Sequence, residues 1–141
     1  MRESLTTPDG RTLAYTRAGS GPVLVCHPGG PGCSGRYFGT LGGLDREVSL
    51  IRLDPRGSGG SDRPSDGGYG LEAYAADLDA LRAHFGVERL DLLGHSHGGF
   101  VAITYAARYT ERIGRLVLVG TLTRFGAERS EERRVGKECR L

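Results

Sequence analysis

The pentapeptide Gly-His-Ser-His-Gly at residues 94–98 restricts the possible folds of this chain more than any other segment. An apolar run at 90–93 leads directly into it, and an alanine-rich stretch at 97–109 leads out of it. Gly-x-Ser-x-Gly alone arises easily by chance in a glycine-rich chain, so the flanking segments carry the argument. Together they predict a strand, a sharp turn and a helix, with Ser96 as a candidate nucleophile exposed at a sheet end.

Short apolar runs predict further strands. Including the run that precedes Gly94, four apolar runs predict strands: 22–27, 48–53, 90–93 and 116–119. Continuous apolar runs of this length are typical of strands buried on both faces. Residues 2–7 and 11–18 flank a Pro-Asp-Gly turn and predict a β-hairpin.

Helical patterns separate these strands. Apolar residues recur at helical spacing over 71–85, with Gly86 as a candidate C-cap, and a weaker pattern covers 35–44. Alternating strands and helices indicate an α/β fold, with helices on both faces of a mainly parallel sheet. The hairpin would add an antiparallel edge.

A glycine-rich loop follows the predicted strand 22–27. It begins at His27 and continues as Pro28-Gly29-Gly30-Pro31-Gly32. Because glycines allow the backbone to approach a neighbouring segment closely, this loop can direct a backbone N–H group towards Ser96. The alternative interpretation is a simple tight turn.

A second loop, residues 54–64, follows strand 48–53 and reads Asp-Pro-Arg-Gly-Ser-Gly-Gly-Ser-Asp-Arg-Pro. It lacks the Gly-Lys-Ser/Thr of a phosphate loop and the glycine spacing of a dinucleotide site. We expect Asp54 to accept hydrogen bonds within the loop rather than to act as a catalytic acid.

In this order and spacing the three motifs resemble the α/β-hydrolase superfamily, and within it the proline iminopeptidase-like branch, over residues 5–125. The resemblance implies that Ser96 is the nucleophile and that the backbone N–H groups of Gly30 and His97 form the oxyanion hole. Gly94 and Gly98 would be the elbow glycines. We expect His27 and Gly29 to lie against the substrate.

Two positions depart from that branch. Pro28 stands where its loop motif has histidine, and His97 follows the serine where iminopeptidases have tryptophan. A carboxylesterase, or a non-catalytic binding protein on the same scaffold, therefore stays open beside the aminopeptidase. Dehalogenases and epoxide hydrolases of the fold use an aspartate nucleophile, which Ser96 disfavours.

The family's triad runs from serine to an acid and then to histidine. After Ser96 the chain contains no aspartate, and its only histidine is His97, the immediate neighbour. We expect the acid and the histidine to lie beyond residue 141, so that the fold is truncated after about the sixth strand. The chain alone is then expected to be inactive and poorly soluble.

Residues 129–141 differ in composition from residues 1–128. The only lysine of the chain is Lys137, whereas the preceding segment uses arginine throughout. The tail resembles the translation of a sequencing adapter, so we interpret 1–128 as part of a hydrolase domain and 129–141 as non-native.

Without that tail the acidic and basic residues are equal in number. This balance disfavours nucleic acid or a membrane surface as partner, and leaves a small-molecule or peptide substrate. No spacing indicates a metal or an organic cofactor. The first residues lack the apolar run of a signal peptide, so we expect a cytoplasmic protein.

Overall fold

Six strands form one mixed sheet in residues 2–122, the part of the chain that the computed structural model describes. They are β1 (Arg2–Thr6), β2 (Thr12–Ala18), β3 (Val23–His27), β4 (Ser49–Leu53), β5 (Leu90–His95) and β6 (Ile113–Val119). Their order across the sheet is β1-β2-β4-β3-β5-β6. Strands β3 to β6 run parallel, and β1 and β2 form an antiparallel hairpin beside β4. The predicted fold class is confirmed.

Two α-helices pack on one face of this sheet, α1 (Leu71–Phe85) and α2 (His97–Arg108). The apolar positions of α1 face a core shared with α2 and the strands, where Leu78, Leu81 and Val101 are fully buried. Gly86 ends α1 as predicted, and its N–H donates to the carbonyls of Arg82 and Ala83. Burial of these faces supplies the main driving force for folding.

The opposite face differs from the prediction within the described residues. Instead of one helix over 35–44 it carries two short 3-10 turns, Gly35–Phe38 and Leu44–Arg46. Gly39, Gly42 and Gly43 between and beside them have positive φ, which α-helical backbone does not allow. A smaller core of Cys26, Phe38, Leu50 and Leu93 lies beneath these turns.

Strand β6 begins earlier than its apolar run indicates. It starts at Ile113, which pairs with Leu90, and the polar and glycine residues that follow hide this start from pattern analysis. Leu116, Val117 and Val119 on this strand are 37%, 45% and 46% exposed. Within residues 2–122 β6 is thus an edge strand with exposed apolar side chains, which favours association between chains.

The tail predicted at 129–141 lies outside the described residues. Neither α1 nor α2 is long and apolar enough to cross a membrane.

Candidate active site

Ser96 occupies the sharp turn between β5 and α2. Its backbone has φ 55° and ψ −117°, a conformation that residues other than glycine rarely adopt. Three hydrogen bonds hold the turn: the Ser96 N–H donates to the Val119 carbonyl at 3.0 Å, and the Ser96 carbonyl accepts from Gly99 N–H at 2.9 Å and Thr121 Oγ1 at 2.8 Å. These bonds to Val119, Gly99 and Thr121 thereby offset the cost of the strained backbone at Ser96.

The glycines on either side of the serine allow chain segments to touch. A Cβ on Gly94 would collide with the carbonyl of Gly98, and one on Gly98 would collide with the His27 carbonyl. The first turn of α2 therefore packs directly on the end of β3. This contact brings the loop after β3 to the elbow.

That loop lies against Ser96. A Cβ built on Gly29 would stand 3.0 Å from Ser96 Cβ, so a side chain there would press on the serine. Gly30 has φ 123°, which favours glycine, and a cis peptide bond joins it to Pro31. Among residues 2–122 neither Gly30 nor His97 donates its backbone N–H to an acceptor. Both N–H groups are thus free to bind an oxyanion formed at Ser96.

Tyr37 links the loop to the elbow, and sequence analysis missed it. Its hydroxyl accepts a hydrogen bond from Gly29 N–H at 2.8 Å and lies 2.6 Å from His95 Nδ1. Burial raises the pKa of Tyr37, which keeps the hydroxyl protonated and able to donate to His95. The only sequence signal for this role is the aromatic pair Tyr37-Phe38 in the otherwise glycine-rich segment 29–43.

Two further histidines near the loop and the serine, His27 and His97, are buried, whereas His95 is half-buried. His97 is 7% exposed, and its ring packs edge-on against Tyr74 with centroids 5.3 Å apart. His27 is 1% exposed, lies beside the same tyrosine, and places Nδ1 3.0 Å from the Pro28 carbonyl. Burial lowers the pKa of both rings, so both are neutral near pH 7.

The expectation that His27 contacts substrate is corrected by this placement. The residue ends β3 with its side chain turned into the core, below the loop rather than on its outer surface. Of the two expected substrate contacts, Gly29 alone lies beside Ser96. The His27 ring instead supports the loop from beneath.

The buried His27 predicts a pH dependence of stability. Its pKa is about 4 in the folded chain against an ordinary 6.5, so the unfolded chain binds a proton first as the pH falls. Its contribution is fully present above pH 6.5, and about 3 kcal/mol of unfolding free energy is lost between 6.5 and 4. Urea denaturation across this range, followed by circular dichroism, measures it. His27→Phe should flatten the dependence; a slope equal to that of the wild type would contradict the assignment.

A buried ion cluster holds the loop 54–64 to α1. Asp77 is 4% exposed and accepts hydrogen bonds from Arg11 at 2.8 Å and from Arg56 through two nitrogens at 2.8 Å each. The loop closes on Asp54, whose carboxylate accepts from Ser34 Oγ and from the Gly60 N–H at 3.0 Å. Asp54 therefore has the loop-stabilising contacts expected of it, and the loop is fixed beside the glycine-rich segment.

Beyond these contacts the described residues supply no base for the serine. Ser96 Oγ makes no hydrogen bond to any of them. No group of three or more His, Cys, Asp or Glu side chains within residues 2–122 could hold a metal ion. The chain therefore presents the Ser96 hydroxyl beside the loop of Gly29 and Gly30, with the N–H groups of Gly30 and His97 unbonded within residues 2–122.

Comparison with known proteins identifies a family that shares this fold. A family model for the alpha/beta hydrolase fold matches residues 22–137. The chain belongs to the α/β-hydrolase family.

Its relatives within the family differ in chemistry. A cis-3-alkyl-4-alkyloxetan-2-one decarboxylase of Shewanella oneidensis is 39% identical over 117 residues, covering 80% of this chain and 36% of the relative. A proline iminopeptidase of Lactobacillus helveticus is 39% identical over 107 residues, covering 72% of this chain and 36% of the relative. The structure of a meta-cleavage product hydrolase from Pseudomonas fluorescens superposes with a TM-score of 0.78 at 30% identity, covering 87% of this chain and 46% of that one. The chain thus spans little more than a third of the length of these curated relatives.

Proposed function

We propose that this chain is the nucleophile-bearing part of a serine hydrolase that cleaves an amide or ester, in the manner of a proline iminopeptidase. The observation that carries the proposal is the contact between the Gly29–Gly30 segment and Ser96 at the strained elbow. The similarity to a proline iminopeptidase supports the aminopeptidase form of the proposal.

The chemistry follows from the positions of these groups. Ser96 Oγ attacks the substrate carbonyl carbon while a base removes the hydroxyl proton, and the carbonyl oxygen becomes an oxyanion. The N–H groups of Gly30 and His97 donate to that oxyanion, which lowers the barrier because they are already oriented. On collapse the bond to the leaving group breaks, the base passes the serine proton to the departing amine or alcohol, and an acyl group remains on Ser96, which water then hydrolyses. We propose that the base and its orienting acid come from the part of the parent protein that this chain does not include.

Two other reactions use the same first steps. A carboxylesterase expels an alcohol instead of an amine, and the Ser-His-Gly-Gly sequence at 96–99 favours it. Carbon–carbon bond hydrolysis is supported by the similarity to the meta-cleavage product hydrolase. A binding protein that has lost catalysis would share the fold without a reactive serine.

Fluorophosphonate labelling of the parent protein tests the serine. We expect covalent labelling of the wild type and none of Ser96→Ala, because the probe reacts only with an activated hydroxyl. Ser61→Ala, which alters another buried serine, is the matched control and should label like the wild type. A wild type that is folded yet does not label would overturn the hydrolase proposal and favour the binding protein.

Three substrates then separate the reactions: proline p-nitroanilide, p-nitrophenyl butyrate and a meta-cleavage product. Turnover of the anilide above the other two is expected. Turnover of the ester or the meta-cleavage product alone would replace the aminopeptidase by the corresponding alternative.

A further inference from the structure

A cavity of about 310 Å³ opens beside the loop that lies on Ser96. Pro31 and Gly32 of that loop form one side, and Ser58 and Arg63 of the loop 54–64 form another. Tyr69 and Tyr74 complete the lining that matters here. Neither the proposed acyl transfer nor the elbow geometry uses this cavity.

The cavity carries an uncompensated positive charge. Two arginines line it, Arg56 and Arg63, and no carboxylate of residues 2–122 does. The Arg56 charge is matched by Asp77, at 2.8 Å. Arg63 is exposed and forms no ion pair or hydrogen bond with any of residues 2–122. Its guanidinium is therefore available to an anion, and its planar fork suits a carboxylate.

Two hydroxyls in the lining, one of them fully buried, also lack hydrogen-bond partners among residues 2–122. Ser58 is 4% exposed, and its Oγ is buried without a hydrogen bond. Tyr74 is 3% exposed, and its hydroxyl bonds to no residue in 2–122. Burial raises the pKa of Tyr74, so this hydroxyl remains a donor. Buried polar groups are nearly always satisfied, so the buried Ser58 Oγ, beside a Tyr74 hydroxyl that makes no hydrogen bond within residues 2–122, indicates a ligand that satisfies both.

The cavity adjoins the groups that would act on substrate. Tyr74 packs against the ring of His97, the residue after the nucleophile. Pro31 is bonded directly to Gly30, whose N–H is a proposed oxyanion donor. A substrate held in the cavity by one end can therefore reach the elbow with the other.

We propose that this cavity binds a carboxylate group carried by the substrate, through Arg63, Tyr74 and Ser58, with an apolar portion of the substrate against Tyr69. The proposal rests on the proposed function, because it names the chemical class of substrate for the same site. One carboxylate oxygen accepts from the Arg63 guanidinium and the other from the Tyr74 hydroxyl. In the aminopeptidase form of the reaction this group is the terminal carboxylate of a short peptide.

Benzoate binding to the 141-residue chain tests the cavity without requiring catalysis. Ligand-observed NMR at micromolar chain concentration measures its affinity, with benzamide as the neutral isostere. We expect benzoate to bind and benzamide to bind at least about tenfold more weakly, since charge-assisted hydrogen bonds are the strong ones. Arg63→Gln and Tyr74→Phe should each weaken benzoate binding about tenfold. Arg89→Gln, which removes an exposed arginine outside the cavity that is likewise unpaired within residues 2–122, should leave benzoate binding unchanged.

The outcomes separate this site from the proposed reaction. Equal weakening by Arg89→Gln and Arg63→Gln, or equal binding of benzoate and benzamide, overturns the site. Displacement of benzoate by inorganic phosphate at equal concentration overturns its preference for carboxylates. Normal benzoate binding in a parent protein that fluorophosphonate does not label would overturn the reaction alone.

Discussion

Asp77→Ala is expected to lower the free energy of unfolding by about 3–5 kcal/mol, because it leaves buried positive charge without its counterion. Arg11 and Arg56 are 8% and 6% exposed, and both donate to this carboxylate. In the variant Arg11 keeps its ion pair with Asp9, at 2.8 Å, but Arg56 loses its counterion and keeps, among hydrogen bonds within residues 2–122, only that to the Gly68 carbonyl, at 2.6 Å. The loop 54–64 and the turn before β2 both lose their attachment to α1. Removal of one partner from a buried ion cluster costs far more than an exposed ion pair gains.

Glu72→Ala is the matched control, since it removes an acidic residue from the same helix. Glu72 pairs with Arg108 at 3.1 Å, but the two side chains are 75% and 52% exposed. Its loss should cost no more than about 0.5 kcal/mol. Urea denaturation measures the free energy of unfolding of both variants. Circular dichroism is the signal to follow, because the chain contains no tryptophan whose fluorescence could report unfolding. Similar midpoints for the two variants would show that the buried cluster contributes little.

Local patterns were enough to predict the parts of the molecule that depend on neighbouring residues. The hairpin, the strands and both α-helices follow from apolar spacing and turn residues within short windows. The elbow is a local motif too, and its strand and helix flank it directly in sequence. The helix over 35–44 is the exception, because the glycines at 39, 42 and 43 adopt positive φ there and divide the segment into 3-10 turns.

Contacts between distant residues could not be predicted in this way. Arg11 and Asp77 are 66 residues apart, and Tyr37 and His95 are 58 apart. Within its own segment each of these four residues looks like an ordinary surface or core residue. Only the strand order β4-β3-β5 in the sheet brings Tyr37 and His95 together. The burial of His27 was missed for the same reason, since α1 and α2 cover the end of β3 only after folding.

Gly98→Ala is the second large effect, at about 4 kcal/mol of lost stability, which is exceptional for one added methyl group. Alanine is the better helix former, so propensity alone would predict a gain in α2. The Cβ would instead collide with the His27 carbonyl and approach the Pro28 carbonyl at 2.6 Å. These are backbone atoms held by the pairing of His27 with Gly94, so they cannot turn aside as a side chain would.

Gly70→Ala separates this collision from a general cost of losing glycine. Gly70 precedes α1 with φ −72°, and nothing lies within 4 Å of a Cβ built there. Its replacement should change the unfolding free energy by no more than about 1 kcal/mol, the usual range for an N-cap. If Gly98→Ala were equally mild, helix α2 could move away from the end of β3. The loop that carries Gly30 would then not be fixed against Ser96, and the proposed oxyanion donors would need another element to position them.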